Sequence, residues 1–276
     1  MSEYRLPVIG VTGSSGFIGS NLLESLTQSG FRVKPIGRDF KAGDINECDV
    51  IINLSGASIN RRWSDSYKKI LEESRVGTTA RVVSAIKESN RVKLLINTSA
   101  IGIYKQDSTT IHDESSTLLE DDFLSLLCKK WEKEALKAAQ FTRVVVARLG
   151  LVMSEKGGAL PKMSLPAKLG VAAITGSGEQ FVSWIMLEDL IRAFVHIINN
   201  ESISGVINIT SPHPLTNRDL TQKIASRYRS FLKVRVPEIV LRVAMGESSS
   251  VLIKGAKVYP GVLENSGFTF NYLSFY

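Results

Sequence analysis

Cysteine is nearly absent: Cys48 and Cys128 are the only two among 276 residues. This excludes a disulfide framework. The three histidines, His112, His196 and His213, stand too far apart for zinc-site spacing, so no metal is expected. No apolar run approaches the ~18 residues of a membrane span, and Glu3 and Arg5 stand where a secretory signal would be apolar. A cytoplasmic location is the expectation. Internal repeats and low-complexity stretches are also missing, which argues against a solenoid. Lysine and arginine (34) exceed the acids (27), giving a net charge of +7. The basic residues occur in pairs such as Arg61-Arg62, Lys68-Lys69 and Lys129-Lys130, never as a run of five. Neither a nucleic acid nor a membrane is therefore expected as a partner.

What is present is an ordinary folding composition, 43% hydrophobic and 22% charged. The apolar run at 6–11 ends in a glycine-rich turn, after which Leu22, Leu23 and Leu26 recur at helical spacing. Residues 32–36 and 49–54 read as the next two strands. Only ten residues lie between Arg38 and Asp49, so the crossover between them must be abbreviated. Residues 64–88 form one long helical pattern interrupted by Gly77 and lead into a strand over 93–99. An amphipathic helix over 123–139 leads into a buried strand over 143–152. Gly, Pro and short apolar segments fill 154–180, read as loop around a short helix. Strand and helix return over 182–199, and another strand follows over 205–209. This alternation predicts an α/β fold, a Rossmann-like doubly wound parallel sheet with ligands at the carboxyl ends of its strands. Its domain spans 1–212, with 154–180 on the substrate side, and 213–276 forms a small α-rich C-terminal lobe beyond Pro212 and Pro214.

Gly13, Gly16 and Gly19 follow a strand and open a helix. This spacing suits a tight turn, close backbone approach to a pyrophosphate, and close helix–strand packing. Ser14, Ser15, Phe17 and Ile18 complete the loop, whose backbone N–H groups meet the phosphates. A carboxylate that would read the adenosine ribose of NAD is missing from the end of the second strand, where Gly37 and Arg38 stand instead. A guanidinium holds a 2′-phosphate through charge-assisted hydrogen bonds, which favours NADP(H) over NAD(H), although Asp39 adjoins it. Leu54, Ser55 and Gly56 at the end of the third strand line the other side of the cofactor, and Val152 is a further candidate at a strand end.

At these residues the chain resembles the extended short-chain dehydrogenase/reductase superfamily, whose loop reads TGxxGxxG as Thr12 to Gly19 do. Asn53-Leu54-Ser55-Gly56, Arg61-Arg62-Trp63, Ser74-Arg75, Trp131-Glu132, Arg148-x-Gly150, Gly157-Gly158, Gly176-Ser177-Gly178-x-Gln180 and Trp184-Ile185 narrow it. Together they are similar to an atypical, nucleoside-diphosphate-sugar epimerase-like subgroup. Gly246-Glu247, Val258-x-Pro260 and Gly267-Phe268 resemble its small C-terminal domain. The resemblance implies NADP(H) binding and puts Arg75 beside the cofactor. It also implies a serine at the position of Ser99 that contacts substrate.

The superfamily works through a Tyr-x-x-x-Lys pair, and this chain has none. With Trp131-Glu132 aligned on the family helix, the two slots hold Leu124 and Cys128. Ser99 and Tyr104, the nearest phenol, remain as catalytic candidates, with Asp113, Glu114 and Glu132 as reserve carboxylates. Met186 stands where the family commonly has histidine. Cys128 lacks an activating neighbour and is expected to be a buried small hydrophobe, and Trp63 is equally a core or a site residue. The expectation is an NADP(H)-dependent oxidoreductase or epimerase-like protein acting on a small molecule, with a non-catalytic NADP(H) sensor as the alternative.

Overall fold

The computed structural model describes residues 6–107 and 109–275, so Glu3, Arg5 and Tyr276 lie outside the described residues. From the N-terminus, β1 (Val8–Thr12), α1 (Phe17–Gln28), β2 (Arg32–Ile36), α2 (Ala42–Asn46) and β3 (Val50–Asn53) alternate. Next come α3 (Asp65–Glu72), a π-helical turn at Glu73–Gly77, α4 (Thr78–Lys87) and β4 (Leu94–Ala100). The short β5 (Ile111–His112), α5 (Phe123–Leu136) and β6 (Arg143–Leu149) follow. The chain then runs through β7 (Leu151–Ser154), β8 (Gly157–Gly158), α6 (Leu160–Lys168), β9 (Val171–Thr175), β10 (Phe181–Val182), β11 (Trp184–Met186), α7 (Leu187–Asn199) and β12 (Gly205–Ile209).

Six of these strands make an all-parallel sheet in the order β2-β1-β3-β4-β6-β12. Runs such as VIGVT and VIIN are buried along their whole length because helices cover both faces. On one face Leu22 and Leu26 of α1 pack with Leu190, Phe194 and Ile197 of α7 over Ile9, Ile52 and Ile96. On the other, Val82 and Ile86 of α4 and Ala135 of α5 pack over Ile51, Leu95 and Val146.

The second crossover is abbreviated, as its ten residues require: α2 has five residues, and Lys34 of β2 anchors it through Asp44 and Glu47. The chain leaves β1 toward β2 and then crosses back to β3, so the strand order reverses at β1. The crevice between the carboxyl ends of β1 and β3 is the place where such sheets bind ligands.

Three segments depart from the sequence reading. Residues 154–180, read as loop around a short helix, carry the strands β8 and β9 beside α6. Residues 143–152 are two strands, because the Gly150 amide still bonds the Ile209 carbonyl of β12 whereas the Leu151 amide turns to the Ser183 carbonyl, which passes too close to Gly150 to admit a Cβ. There the chain leaves the main sheet and joins β11 and β8. The stretch from 213 on, expected as an α-rich lobe, is mostly helical in α8 (Asn217–Arg227), α9 (Glu238–Met245), α10 (Ser250–Ile253) and α11 (Gly261–Asn265), but it also carries strands that the sequence reading did not place: β13 (Leu215–Thr216), β14 (Leu232–Val236) and β15 (Lys257–Val258). Its strands pair backwards, β14 with β9, β15 with β5 and β13 with β10. Leu263, Phe268 and Phe270 enter the same core as α7, and the buried Asp189 accepts hydrogen bonds from the Asn271 and Tyr272 amides.

Candidate cofactor crevice

The turn after β1 is built by lack of space. Gly13 has φ +64°, and a Cβ there would lie 2.6 Å from the Leu54 carbonyl oxygen; at Gly19 it would run into the Gly13 carbonyl. Gly16 is less confined, with 3.2 Å to the Gly13 oxygen. Gly16 caps α1 without any side-chain hydrogen bond, and no acid stands in the first turn of that helix. Its N-terminal amides therefore present the positive end of the helix dipole to the crevice. Ser15 is exposed on the turn and Ser14 half-buried. Ile18 and Phe17 turn into the packing, where Phe17 lays its ring against Gly157 and Gly158; a Cβ at either would lie 2.6 to 2.8 Å from it. Val152 adjoins this contact, because its carbonyl oxygen stands 2.8 Å from the same position on Gly158.

Beneath the turn lies a polar floor. Thr12 donates to Asn53 Oδ1 at 2.5 Å, and Asn53 Nδ2 donates to Thr79 and Asn97. Trp131 Nε1 donates to Thr79 Oγ1 at 2.9 Å. These buried groups satisfy one another and hold the ends of β1, β3 and β4 in fixed register.

The other wall follows β3. Ser74 Oγ accepts from the Ala57 amide at 2.9 Å and Arg75 Nη2 donates to the Ala57 carbonyl at 3.0 Å, so both polar groups of one loop residue are held. The π-turn puts these adjacent side chains on the same loop, a use of the wider helical turn often seen at functional sites. The Arg75 guanidinium lies over the Trp131 ring, and a Cβ at Gly56 would come within 3.0 Å of it. Burial lowers the Arg75 pKa, and no carboxylate among the described residues pairs with it. Leu54 and Ser55 connect this wall to the glycine turn, while Gly37 and Arg38 are exposed at the end of β2. Arg81 of α4 donates to the Arg38 and Phe40 carbonyls, fixing the loop backbone that carries Arg38.

A second cluster lies at the ends of β4, β6 and β12. Ser99 Oγ donates to Glu132 Oε1 at 2.6 Å. Arg148 donates to both Glu132 oxygens, at 2.8 and 2.7 Å, and to the Tyr104 hydroxyl at 2.8 Å. Tyr104 in turn donates to Asn208 Oδ1 at 2.8 Å. All five residues are buried. Burial raises the Tyr104 pKa, against the opposing pull of Arg148. For Arg148 burial works against the charge, yet the hydrogen bonds and charge of Glu132 prevail and raise its pKa. Glu114 binds the Asn208 and Val262 amides, tying this cluster to α11, whereas Asp113 caps its own loop. Cys128 is buried, its thiol pushed up to about 11 by desolvation, and Trp63 is core, packed on Phe123.

The Glu132–Arg148 pairing and the part played by Asn208 escape a reading of the sequence, because they join residues distant along the chain. The one legible signal is that Trp131-Glu132 and Arg148-x-Gly150 both stand among the motifs on which the sequence resemblance rests. The phenylalanine–diglycine contact is similar: both partners are visible as motifs, but their meeting is not.

With a doubly wound sheet and a glycine turn at its reversal point, the chain belongs to the NAD dependent epimerase/dehydratase family, which residues 9–210 match. Residues 236–274 match a domain of unknown function, DUF1731. The chain is 34% identical over 282 residues to the epimerase family protein SA0724 of Staphylococcus aureus strain N315, covering 95% of this chain and 94% of the relative. The structure of human epimerase family protein SDR39U1 with NADPH aligns at TM-score 0.90 and 29% identity, over 97% of this chain and 96% of that one. A nucleoside-diphosphate sugar epimerase from Corynebacterium glutamicum aligns at TM-score 0.80 and 27% identity, over 98% of this chain but 56% of its own. Among the described residues no helix is long and apolar enough to cross a membrane.

Proposed function

We propose that the chain binds NADP(H) between the ends of β1 and β3 and acts as an oxidoreductase or epimerase-like protein on a small molecule. The observation that carries this is the glycine turn: Gly13 and Gly19 admit no Cβ, and α1 begins with uncapped amides. Such a turn is fitted to a pyrophosphate. Residues 13–19 would hold the pyrophosphate, Leu54 to Gly56 and Val152 would border the cofactor, and Arg38 would take the 2′-phosphate. Arg75, half-buried and paired with no carboxylate among the described residues, adds positive charge to the wall. The solved human relative with NADPH supports the choice of cofactor.

When bound, the nicotinamide supplies hydride transfer. The protein's part is to orient and to shield. Ser99 retains lone pairs on Oγ while donating to Glu132, so it can accept a hydrogen bond from substrate. Tyr104 is poorly set for proton transfer, since burial raises its pKa and Arg148 and Asn208 engage its hydroxyl. That engagement, with the missing Tyr-x-x-x-Lys pair, favours a second reading: an NADP(H) sensor without turnover.

Calorimetric titration with NADPH and NADH, followed by NADPH consumption assays against a panel of carbonyl compounds, separates the readings. Binding with loss of reduced-nicotinamide absorbance supports the enzyme. Binding with persistent silence supports the sensor, and absence of binding overturns both.

A further inference from the structure

The sequence holds no acid between Glu155 and Glu179, nor between Asp219 and Glu238, yet these stretches carry three and five basic residues. The fold packs them together. β14 pairs with β9 in parallel, the Phe231 and Leu232 amides donate to the Gly170 carbonyl, and Ser230 Oγ donates to the Ala167 carbonyl. The basic residues, scattered along the sequence, are thereby gathered on one lobe.

The same lobe exposes large apolar side chains. Leu165 is 60% exposed, Leu169 74% and Phe231 87%. Leu165 and Leu169 stand one turn apart at the end of α6, and Phe231 stands against Gly170, so the three are contiguous. Lys162, Lys168, Arg229 and Lys233 are exposed around them, and none forms an ion pair with a described acid. Lys168 instead lies over the Tyr228 ring. Arg229 holds φ 54° just past α8, a helix-ending conformation usually given to glycine.

We propose that this face is a docking surface for an anionic membrane, with Leu165, Leu169 and Phe231 entering the headgroup boundary and the four cations meeting lipid phosphates and carboxylates. Apolar tips ringed by lysine and arginine match the chemistry of an interfacial anchor. A second copy of this face would bring the same cations together, which opposes self-association. A nucleic acid would meet one stacking ring and two aliphatic side chains, a poor platform for bases. The expectation of no membrane partner rested on the lack of a basic run, and the fold supplies the cluster from two segments.

The proposal is independent of cofactor binding and is tested on the full chain by flotation with vesicles. Phosphatidylcholine vesicles carrying one third phosphatidylserine should bring the protein up with them, and pure phosphatidylcholine vesicles should not. Raised salt should weaken the association. Phe231→Ser should lower partitioning roughly ten-fold and Lys233→Ala about five-fold, both with NADPH affinity unchanged. Equal recovery with both vesicle types, or wild-type flotation by Phe231→Ser and Lys233→Ala, overturns it. So does a concentration-dependent dimer, or RNA binding, that these substitutions abolish in place of flotation.

Discussion

Glu132 accepts the paired hydrogen bonds that Arg148 offers along one edge of its guanidinium, Nε to Oε1 and Nη2 to Oε2, with both residues buried. Removing one member leaves the other charge unpaired in the interior, at about 3 to 5 kcal/mol. Glu132→Ala is therefore expected to lower the urea midpoint of unfolding strongly, with little change in the slope of the transition. An unchanged midpoint would show that Arg148 finds another partner.

Tyr104→Phe removes the hydroxyl that bridges Arg148 and Asn208. The expected cost is roughly 1 to 3 kcal/mol of stability, and any turnover should fall by less than the 10²- to 10⁴-fold typical of a lost general acid. Steady-state kinetics beside a denaturation curve checks both. A collapse in turnover with normal NADPH binding and stability would give the phenol a chemical role.

The glycine turn separates binding from folding. At Gly16 a side chain meets one backbone oxygen at 3.2 Å, whereas at Gly13 it meets backbone at 2.6 Å in a left-handed conformation. Gly16→Val should abolish NADPH binding by calorimetry while melting near wild type, and Gly13→Val should melt well below it. Unchanged affinity in Gly16→Val would reject this placement.

Arg38 stands exposed at the end of β2 on a backbone fixed by Arg81. A charge-assisted hydrogen bond is worth about 1.5 to 3 kcal/mol, so Arg38→Ala should weaken NADPH roughly ten- to a hundred-fold and leave NADH nearly unaffected. Paired titrations at fixed salt decide it, and equal losses for the two cofactors would refute the assignment.

The parts legible in the sequence are those written by local spacing. β2 and β12 fall on the residues read for them, 32–36 and 205–209, and the shortness of α2 is visible in the residue count between Arg38 and Asp49. The break at Gly150 is not, because it depends on Ser183, far along the chain. The C-terminal strands escape for the same reason: the sequence of β14 alternates adequately, but its partner β9 lies in a stretch that reads as loop. Side-chain networks need the whole fold before any two members are neighbours.

The thiols report on packing through pH. Burial pushes Cys48 and Cys128 up from 9.0 to about 11, so the folded state favours their protonated forms. The stability this contributes is complete below pH 9 and is lost as pH rises from 9 to 11, on the order of 2 kcal/mol for Cys128. Urea midpoints at pH 8 and pH 11 should fall further for the wild type than for Cys128→Ala. An equal fall in both would show that the thiol is not the group responsible.

The short crossover also decides how the sheet ends. Among the described residues no strand lies beyond it, so β2 is an open border, where a neighbouring chain in a crowded solution finds a template for pairing. Pro35 withholds one amide from that border, and Arg32 adds charge beside it. Lys34, tied to Asp44 and Glu47, keeps α2 close to the same strand. Economy in the connection thus comes with an edge guarded against aggregation. Replacing Pro35 and Lys34 together by valine would remove that protection without touching the crevice.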